Sequence, residues 1–320
     1  MIKNYYLVLL LLSAVILLGS VFRVSVCLAG PVRVFVSIAP QKYFVHQIGK
    51  DLVDVQVMVQ PGASPATYEP RPKQMADLSK TKVYFAMGVP FEKAWLKKIA
   101  ATNPELKVVH TDRDIHKIPM AAHHHYDEGR PNIKGESHIG TGRHKEAGHK
   151  DKEDHPDQGI PDPHIWLSPP LVKLQAGIIL TTLQEVDPSH RSVYEANYNQ
   201  FVLKIDELDA LLKKTFAGKH GLEFMVFHPA WGYFAHTYGL KQVPIEIEGK
   251  APKPARLKEL IEYAKERGIK MVIVQPQFSS KRAELVAREI GGQVVYADPV
   301  AEDWLANMLE MADKIMAALR

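Results

Sequence analysis

Three short segments, far apart in the chain, each carry a side chain that commonly binds metal ions. His164 lies in a turn, His228 directly follows one predicted strand, and Asp298 directly follows another. Neutral imidazole and carboxylate are the ligands that a borderline cation such as zinc prefers. Each residue alone also fits a purely structural role, as a helix cap or a turn residue. Together they predict a binding site for a transition metal.

A histidine-rich segment strengthens this prediction. Residues 119–160 contain charge, glycine and proline with little apolar periodicity, which predicts a disordered insertion. The segment holds seven of the 15 histidines of the chain, at positions 123, 124, 125, 138, 144, 149 and 155. One interpretation is a solvated polar linker that is rich in histidine. The other is metal capture, because adjacent imidazoles such as His123, His124 and His125 bind zinc, copper or nickel weakly and quickly.

The composition is that of an ordinary globular protein. The chain has 320 residues, of which 46% are apolar and 24% charged, enough for two domains, or one large one, with ample material for a buried core. Its formal charge of +4 is small for this length, and no basic helix or aromatic run predicts a nucleic-acid partner. Because Cys27 is the only cysteine, the chain has no internal disulfide and no thiolate zinc site.

The N-terminus predicts export. A short basic region, Met1–Asn4, precedes an apolar core, Tyr5–Leu18, that is too short to span a membrane and is soon followed by charge. Residues 1–29 are therefore a predicted secretory signal peptide, cleaved after Ala29. Alternatively, Cys27 carries a lipid anchor. Either outcome places the mature protein in the periplasm or another extracytoplasmic location.

Short apolar runs alternate with helical patterns along most of the chain. This alternation predicts an α/β fold of two lobes, each a mostly parallel sheet flanked by helices. Strands are predicted at 32–38, 53–59, 83–87, 108–111, 224–227, 243–247, 271–274 and 294–296. Helices are predicted at 71–80, 92–101, 169–186, 254–267, 280–290, 303–319 and from 229 onwards. Ligands of open parallel sheets lie beyond the carboxyl ends of the strands, so we expect a cleft at His228 and Asp298.

One long helix is predicted between the lobes. Its apolar residues follow a spacing of four, three, four, three and four, and they are Tyr194, Tyr198, Phe201, Ile205, Leu208 and Leu212. Gly218 ends this pattern, as expected of a C-terminal cap. The predicted organisation is thus an N-terminal lobe at 30–188 that includes the loop 119–160, a connecting helix at 189–218 and a C-terminal lobe at 219–320.

Five motifs occur in order along the chain. They are GASPATYEP at 62–70, DPHIWLSP at 162–169, FHPAWGYFA at 227–235, QPQF at 275–278 and ADP at 297–299. Together they resemble the signatures of the metal-binding components of bacterial ABC importers, the ZnuA/TroA-like family of cluster A-I. The resemblance runs from about residue 32 to the C-terminus, and the histidine-rich loop interrupts it where zinc-binding members carry one.

The resemblance implies a rigid binding protein that delivers its metal to an ABC permease in the inner membrane, and we expect a monomer. The family's ligand set is a histidine from each of the first three motifs and an acidic residue from the last. Carried over, this set gives His164, His228 and Asp298. The chain departs from the family at Ala66, where the family has histidine. The fourth ligand stays open between a water, Glu69 in the same turn, and a loop histidine such as His123, His124 or His125.

Zinc is the expected metal. Two imidazoles and one carboxylate suit Zn(II) better than Mn(II), which favours more oxygen ligands. Glu246 and Glu248, at a predicted strand end, are candidates for hydrogen bonds to the ligands. We expect Trp166, Trp231 and Trp304 to wall the cleft or fill the core.

Two rival functions share the same residues. An exported zinc-dependent hydrolase fits a site with an open coordination position, but no general base or nucleophile motif is evident, so we expect no enzymatic activity. A metal-binding surface adhesin or a zinc chaperone is the second alternative.

Overall fold

The computed structural model describes residues 30–120, 160–246 and 252–319. The predicted signal peptide, Cys27, Glu248 and the histidines at 123–155 lie outside these ranges. Within them, no helix combines the length and the apolar character needed to cross a membrane.

The first lobe is built on a four-stranded parallel sheet. Its strands are β1 (Val32–Val36), β2 (Val53–Val57), β3 (Val83–Ala86) and β4 (Lys107–His110), in the spatial order β2-β1-β3-β4. The helices that alternate with them are α1 (Ala39–Gly49), α2 (Pro72–Leu78) and α3 (Pro90–Ala101). Each of these helices has proline in its first turn, where the missing N–H costs no helical hydrogen bond.

The second lobe repeats this arrangement. Strands β5 (Glu223–Val226), β6 (Lys241–Pro244), β7 (Met271–Val274) and β8 (Gln293–Tyr296) form a parallel sheet in the order β6-β5-β7-β8. They alternate with α6 (Gly232–Tyr238), α7 (Pro254–Glu266) and α8 (Lys281–Glu289), and α9 (Trp304–Ala318) follows the last strand. The predicted fold class of two parallel, helix-flanked sheets is confirmed.

Along the chain, two helices follow the first sheet and precede the second. Helix α4 (Pro169–Val186) leads into α5 (Arg191–Thr215), which has 25 residues. The predicted apolar stripe of α5 is largely buried, and its buried members are Tyr194, Phe201, Ile205, Leu208 and Leu212. Asn197, near the start of α5, donates to the Ile48 carbonyl of α1 at 3.0 Å. Phe216, just past its end, packs on Phe234 of α6 at 5.4 Å between ring centroids. The long helix therefore contacts both lobes.

Two details differ from the sequence predictions. The predictions include no helix at Ala39–Gly49, although Pro40, Phe44, Val45 and Ile48 give it a buried face of helical period. The helix predicted from Pro229 begins at Gly232 instead, because residues 228–231 form a turn in which Ala230 N–H donates to the His228 carbonyl. That turn leaves His228 outside α6, four positions before its first residue. The exact lobe boundaries stay predictions.

Candidate metal centre

His164 is fixed by the carboxylate of Asp162. Asp162 is fully buried, and its Oδ1 accepts from the His164 backbone N–H at 2.9 Å and lies 2.7 Å from His164 Nδ1. Such a contact places the proton of a neutral imidazole on Nδ1 and leaves the Nε2 lone pair free for a metal. The residue is 8% exposed and lines a cavity. His164 is thus oriented and in the tautomer that a ligand needs.

The burial of Asp162 depends on its neighbours in the second lobe. A side chain on Gly232, the first residue of α6, would place Cβ 2.6 Å from Asp162 Oδ2, so only glycine leaves room for the carboxylate. Tyr233 Oη donates to the Asp162 carbonyl at 3.1 Å. The first turn of α6 therefore supports the segment that carries His164.

His228 stands at the carboxyl end of β5, as the cleft prediction requires. The Gln275 side chain holds its backbone, accepting from the His228 N–H at 3.3 Å and donating to its carbonyl at 2.8 Å. The imidazole stacks on Phe278 at 4.9 Å between ring centroids. Its centroid lies 5.3 Å from that of His164. The structure thus brings together two imidazoles from motifs 64 positions apart.

Glu246 lies beside His228 and lines the same cavity. It follows β6, and its backbone N–H donates to the Phe227 carbonyl at 2.8 Å. Its Oε2 lies 3.4 Å from His228 Nδ1, and the residue is 3% exposed. Burial lowers the pKa of His228 below its usual value, and the nearby Glu246 carboxylate partly opposes this effect. His228 is therefore neutral, and available as a ligand, at neutral pH.

Asp298 has a different environment from the two histidines. Its Oδ1 accepts from Gln277 Nε2 at 2.8 Å and from the Val300 N–H at 2.9 Å, and its side chain is half-buried. Gln277, Pro299 and Val300 line the cavity, whereas Asp298 is not among the lining residues.

The cavity has a volume of about 570 Å³. The first motif supplies Ala66 and Thr67 to its wall, which His164, His228 and Glu246 also line. Glu69 is exposed and does not line it. Trp166 lines it and is buried, while Trp231 and Trp304 lie wholly in the core, as expected.

The predicted ligands are thus only partly assembled. In the described ranges, no three His, Cys, Asp or Glu side chains stand close enough to hold a metal as they are. The ligand assignments His164, His228, Asp298 and Glu69 stay predictions, and the loop histidines lie outside the described residues. Asp162 has no role in the sequence predictions, although an aspartate side chain commonly accepts from the backbone N–H two positions further on.

The role of Asp162 leads to a prediction. Asp162→Ala removes the acceptor that orients His164, and loss of such a partner typically weakens metal binding 10–100-fold. We therefore expect the zinc dissociation constant, measured by chelator competition, to rise by about that factor. Asp187→Ala is a matched control, because Asp187 Oδ2 lies 2.7 Å from His190 Nδ1 in a turn outside the cavity. Equal affinities of the Asp162 and Asp187 variants would contradict this role.

The structure combines two parallel-sheet lobes, a helix that contacts both, and paired imidazoles at one cavity. These features are typical of one class of protein, the two-lobed α/β binding proteins with a site suited to metal ions. The family model described as ZnuA, zinc-uptake complex component A, periplasmic, matches residues 34–318. The chain belongs to this family.

Individual relatives agree with this assignment. The high-affinity zinc uptake system protein ZnuA of Bacillus subtilis is 28% identical over 258 residues, which cover 79% of this chain and 74% of that protein. The zinc-binding lipoprotein AdcA of Streptococcus pneumoniae is 25% identical, and the match covers 91% of this chain but 56% of AdcA. The protein in a crystal structure of ZnuA is 39% identical in sequence to this chain, and the two structures superpose with a TM-score of 0.78. The match covers 91% of this chain and 100% of the ZnuA chain.

Proposed function

We propose that the protein captures Zn(II) outside the cytoplasmic membrane and delivers it to an ABC permease in the inner membrane. The observation that carries the proposal is the pair of neighbouring imidazoles, 5.3 Å apart, that share one cavity with the buried carboxylate of Glu246. Relatives named for zinc uptake and zinc binding support zinc as the metal. The predicted signal peptide and Cys27 support an extracytoplasmic or lipid-anchored location.

The donor chemistry favours zinc over manganese. Nitrogen ligands suit Zn(II), whereas Mn(II) prefers a sphere of oxygen ligands. The walls of the cavity around the imidazoles are largely apolar, with Trp166, Phe278 and Val300 among them. Such walls strengthen each metal–ligand contact because they exclude water. Binding and transport, rather than catalysis, is therefore the function that the site supports best.

The function is tested by metal titration of the purified protein against a competing chelator. We expect one tight zinc site and clearly weaker binding of Mn(II), because two of the proposed ligands are imidazoles. Cells that lack the gene are expected to take up less zinc from zinc-limited medium, and the wild-type gene to restore uptake. Tighter binding of Mn(II) than of Zn(II), or unchanged zinc uptake, would refute the proposal.

The pH dependence of zinc binding follows from the state of the imidazoles. A protonated imidazole cannot bind a metal, and an unperturbed histidine has a pKa of about 6.5. Burial lowers the pKa of His228, so protons compete for this residue only at a lower pH. We expect zinc affinity to be nearly constant above about pH 6.5 and to fall below about pH 6. Chelator competition between pH 5 and 8 measures this, and a large loss already between pH 8 and 7 would contradict it.

A further inference from the structure

Glu246 is a buried carboxylate without the partners that such a group needs. Both of its carboxylate oxygens are inaccessible, and neither has a hydrogen-bond partner in the part of the chain that the structure describes. Within the same residues, no Lys or Arg nitrogen lies within 4.0 Å of it, and its one ionisable neighbour at that distance is the His228 imidazole. A buried charge is costly unless it is paired or binds a metal. A cation bound at this carboxylate would supply the partner that it lacks among the described residues.

The distance between Glu246 and His228 fits two ligands of one metal better than a hydrogen bond. Glu246 Oε2 and His228 Nδ1 are 3.4 Å apart, and His228 Nδ1 is itself buried without a hydrogen-bond partner in the described ranges. Ligands at about 2.0–2.2 Å from a tetrahedral zinc are separated by about 3.4 Å. In contrast, Asp162 Oδ1 and His164 Nδ1 are 2.7 Å apart, which is the length of a charge-assisted hydrogen bond.

The first motif leaves a gap that Glu246 can fill. Ala66 lines the cavity and has no donor atom, and Glu69 in the same turn is exposed and lies outside the cavity wall. The Asp298 Oδ1 is already occupied by two hydrogen bonds. Glu246 is the acidic residue that lines the cavity beside both histidines.

We propose that Glu246 is a direct ligand of the bound zinc, together with His164 and His228, and that it replaces the histidine absent at Ala66. The inference rests on the proposed function. Its carboxylate supplies an anionic ligand beside the two imidazoles, and the exposed Glu69 takes no part. Asp162 differs from Glu246 in that it orients His164 and does not touch the metal.

A ligand exchange tests this inference directly. Glu246→Cys, made in the full-length protein with Cys27→Ser, introduces the only thiol of the chain. Added Co(II) is expected to give a strong near-ultraviolet thiolate-to-cobalt absorption, because a coordinating thiol deprotonates and binds as thiolate. Glu69→Cys in the same background is the matched control and is expected to give none. A Glu246→Cys variant that binds Co(II) without this band would overturn the inference.

Affinity measurements supply an independent test that does not depend on the cysteine variant. Glu246→Gln is nearly isosteric and is expected to weaken zinc binding by more than the 10–100-fold that is typical of an orienting partner. Glu69→Gln is expected to retain wild-type affinity. Ala66→His, added to Glu246→Gln, is expected to recover most of the loss, because it adds an imidazole to the wall of the same cavity. Wild-type affinity of Glu246→Gln would overturn the inference.

Deletion of residues 121–158 tests the competing source of the missing ligand. If Glu246 is the ligand, the zinc dissociation constant of the cavity site is expected to stay unchanged. A loss as large as that of Glu246→Gln would assign the ligand to a loop histidine instead. If the wild-type protein bound no zinc, the proposed function itself would fail. If His164→Ala lost zinc binding and Glu246→Gln bound zinc normally, only the role of Glu246 would be rejected.

Discussion

Replacement of His228 by alanine is expected to weaken zinc binding by at least about 100-fold, more than the loss of an orienting partner. The same result is expected for His164→Ala. Their rings lie 5.3 Å apart at one cavity, and each is held by the protein before metal binds. Each substitution removes one of the few side chains at the cavity that can bind a metal. A 100-fold loss of affinity corresponds to about 2.8 kcal/mol of binding free energy.

The measurement is chelator competition with zinc at pH 7.5, where imidazoles are largely neutral. His236→Ala is the matched control, because His236 is exposed on α6, eight positions beyond His228. We expect this variant to bind zinc like the wild type. If His164→Ala and His228→Ala bound as tightly as His236→Ala, the cavity would not be the zinc site.

The fold was largely predictable because strand and helix periods are local properties of the sequence. The runs at 34–36 and 271–274 are apolar on both faces, as in strands buried between helices, and the structure has parallel strands at these positions. The apolar stripe of α5 likewise predicted a long helix. Helix α1 was not predicted, and its start at Ala39–Pro40, directly after a strand, gives little polar signal of a helix end.

The candidate site was predictable only in part, because contacts between distant segments do not follow from local patterns. The strand-end rule placed His228 at the cleft, and the structure places it beside His164. Glu246 was a candidate hydrogen-bond partner of the ligands, but the sequence does not show that its carboxylate lies beside His228 while that of Asp298 is bound by Gln277. Both acidic residues follow parallel strands of the same sheet, so side-chain packing decides which of the two carboxylates lies beside His228.

The role of Gly232 shows the same limit. In the sequence it is one residue of a predicted helix, where glycine costs stability relative to alanine. In the structure, the absent side chain makes room for Asp162, which orients His164. The reason for glycine at this position lies in another lobe, 70 residues away, and no local rule could supply it.

Two tryptophans connect the segments that surround the cavity. Trp304 Nε1 donates to the Trp166 carbonyl at 2.7 Å, and Trp166 Nε1 donates to the Pro299 carbonyl at 2.6 Å. These bonds join the short 3₁₀ helix Ile165–Leu167, which follows His164, to the start of α9 and to the turn after Asp298. Both indoles are almost fully buried. The pair therefore fixes the relative position of two candidate ligand segments before any metal binds.

Trp304→Ala is accordingly expected to lower the free energy of unfolding of the zinc-free protein by about 3–5 kcal/mol, the usual cost of a large cavity in a core. Trp304 packs edge-on against Phe44 at 5.3 Å and Phe201 at 6.4 Å between ring centroids, so its removal takes one aromatic contact from each of these rings. The buried Trp166 carbonyl also loses its donor, which adds about 1–3 kcal/mol. Urea unfolding followed by circular dichroism measures the change.

Two further variants separate the causes of this loss. Trp304→Phe keeps an aromatic ring but removes the indole N–H, so we expect it to lose about 1–3 kcal/mol, mainly from the unpaired carbonyl. Trp95→Ala is the control for loss of a tryptophan at a partly exposed site, where the ring lies under Lys98, and it is expected to cost much less. Equal stability of Trp304→Ala and Trp95→Ala would show that the Trp166–Trp304 pair does not hold the two segments together.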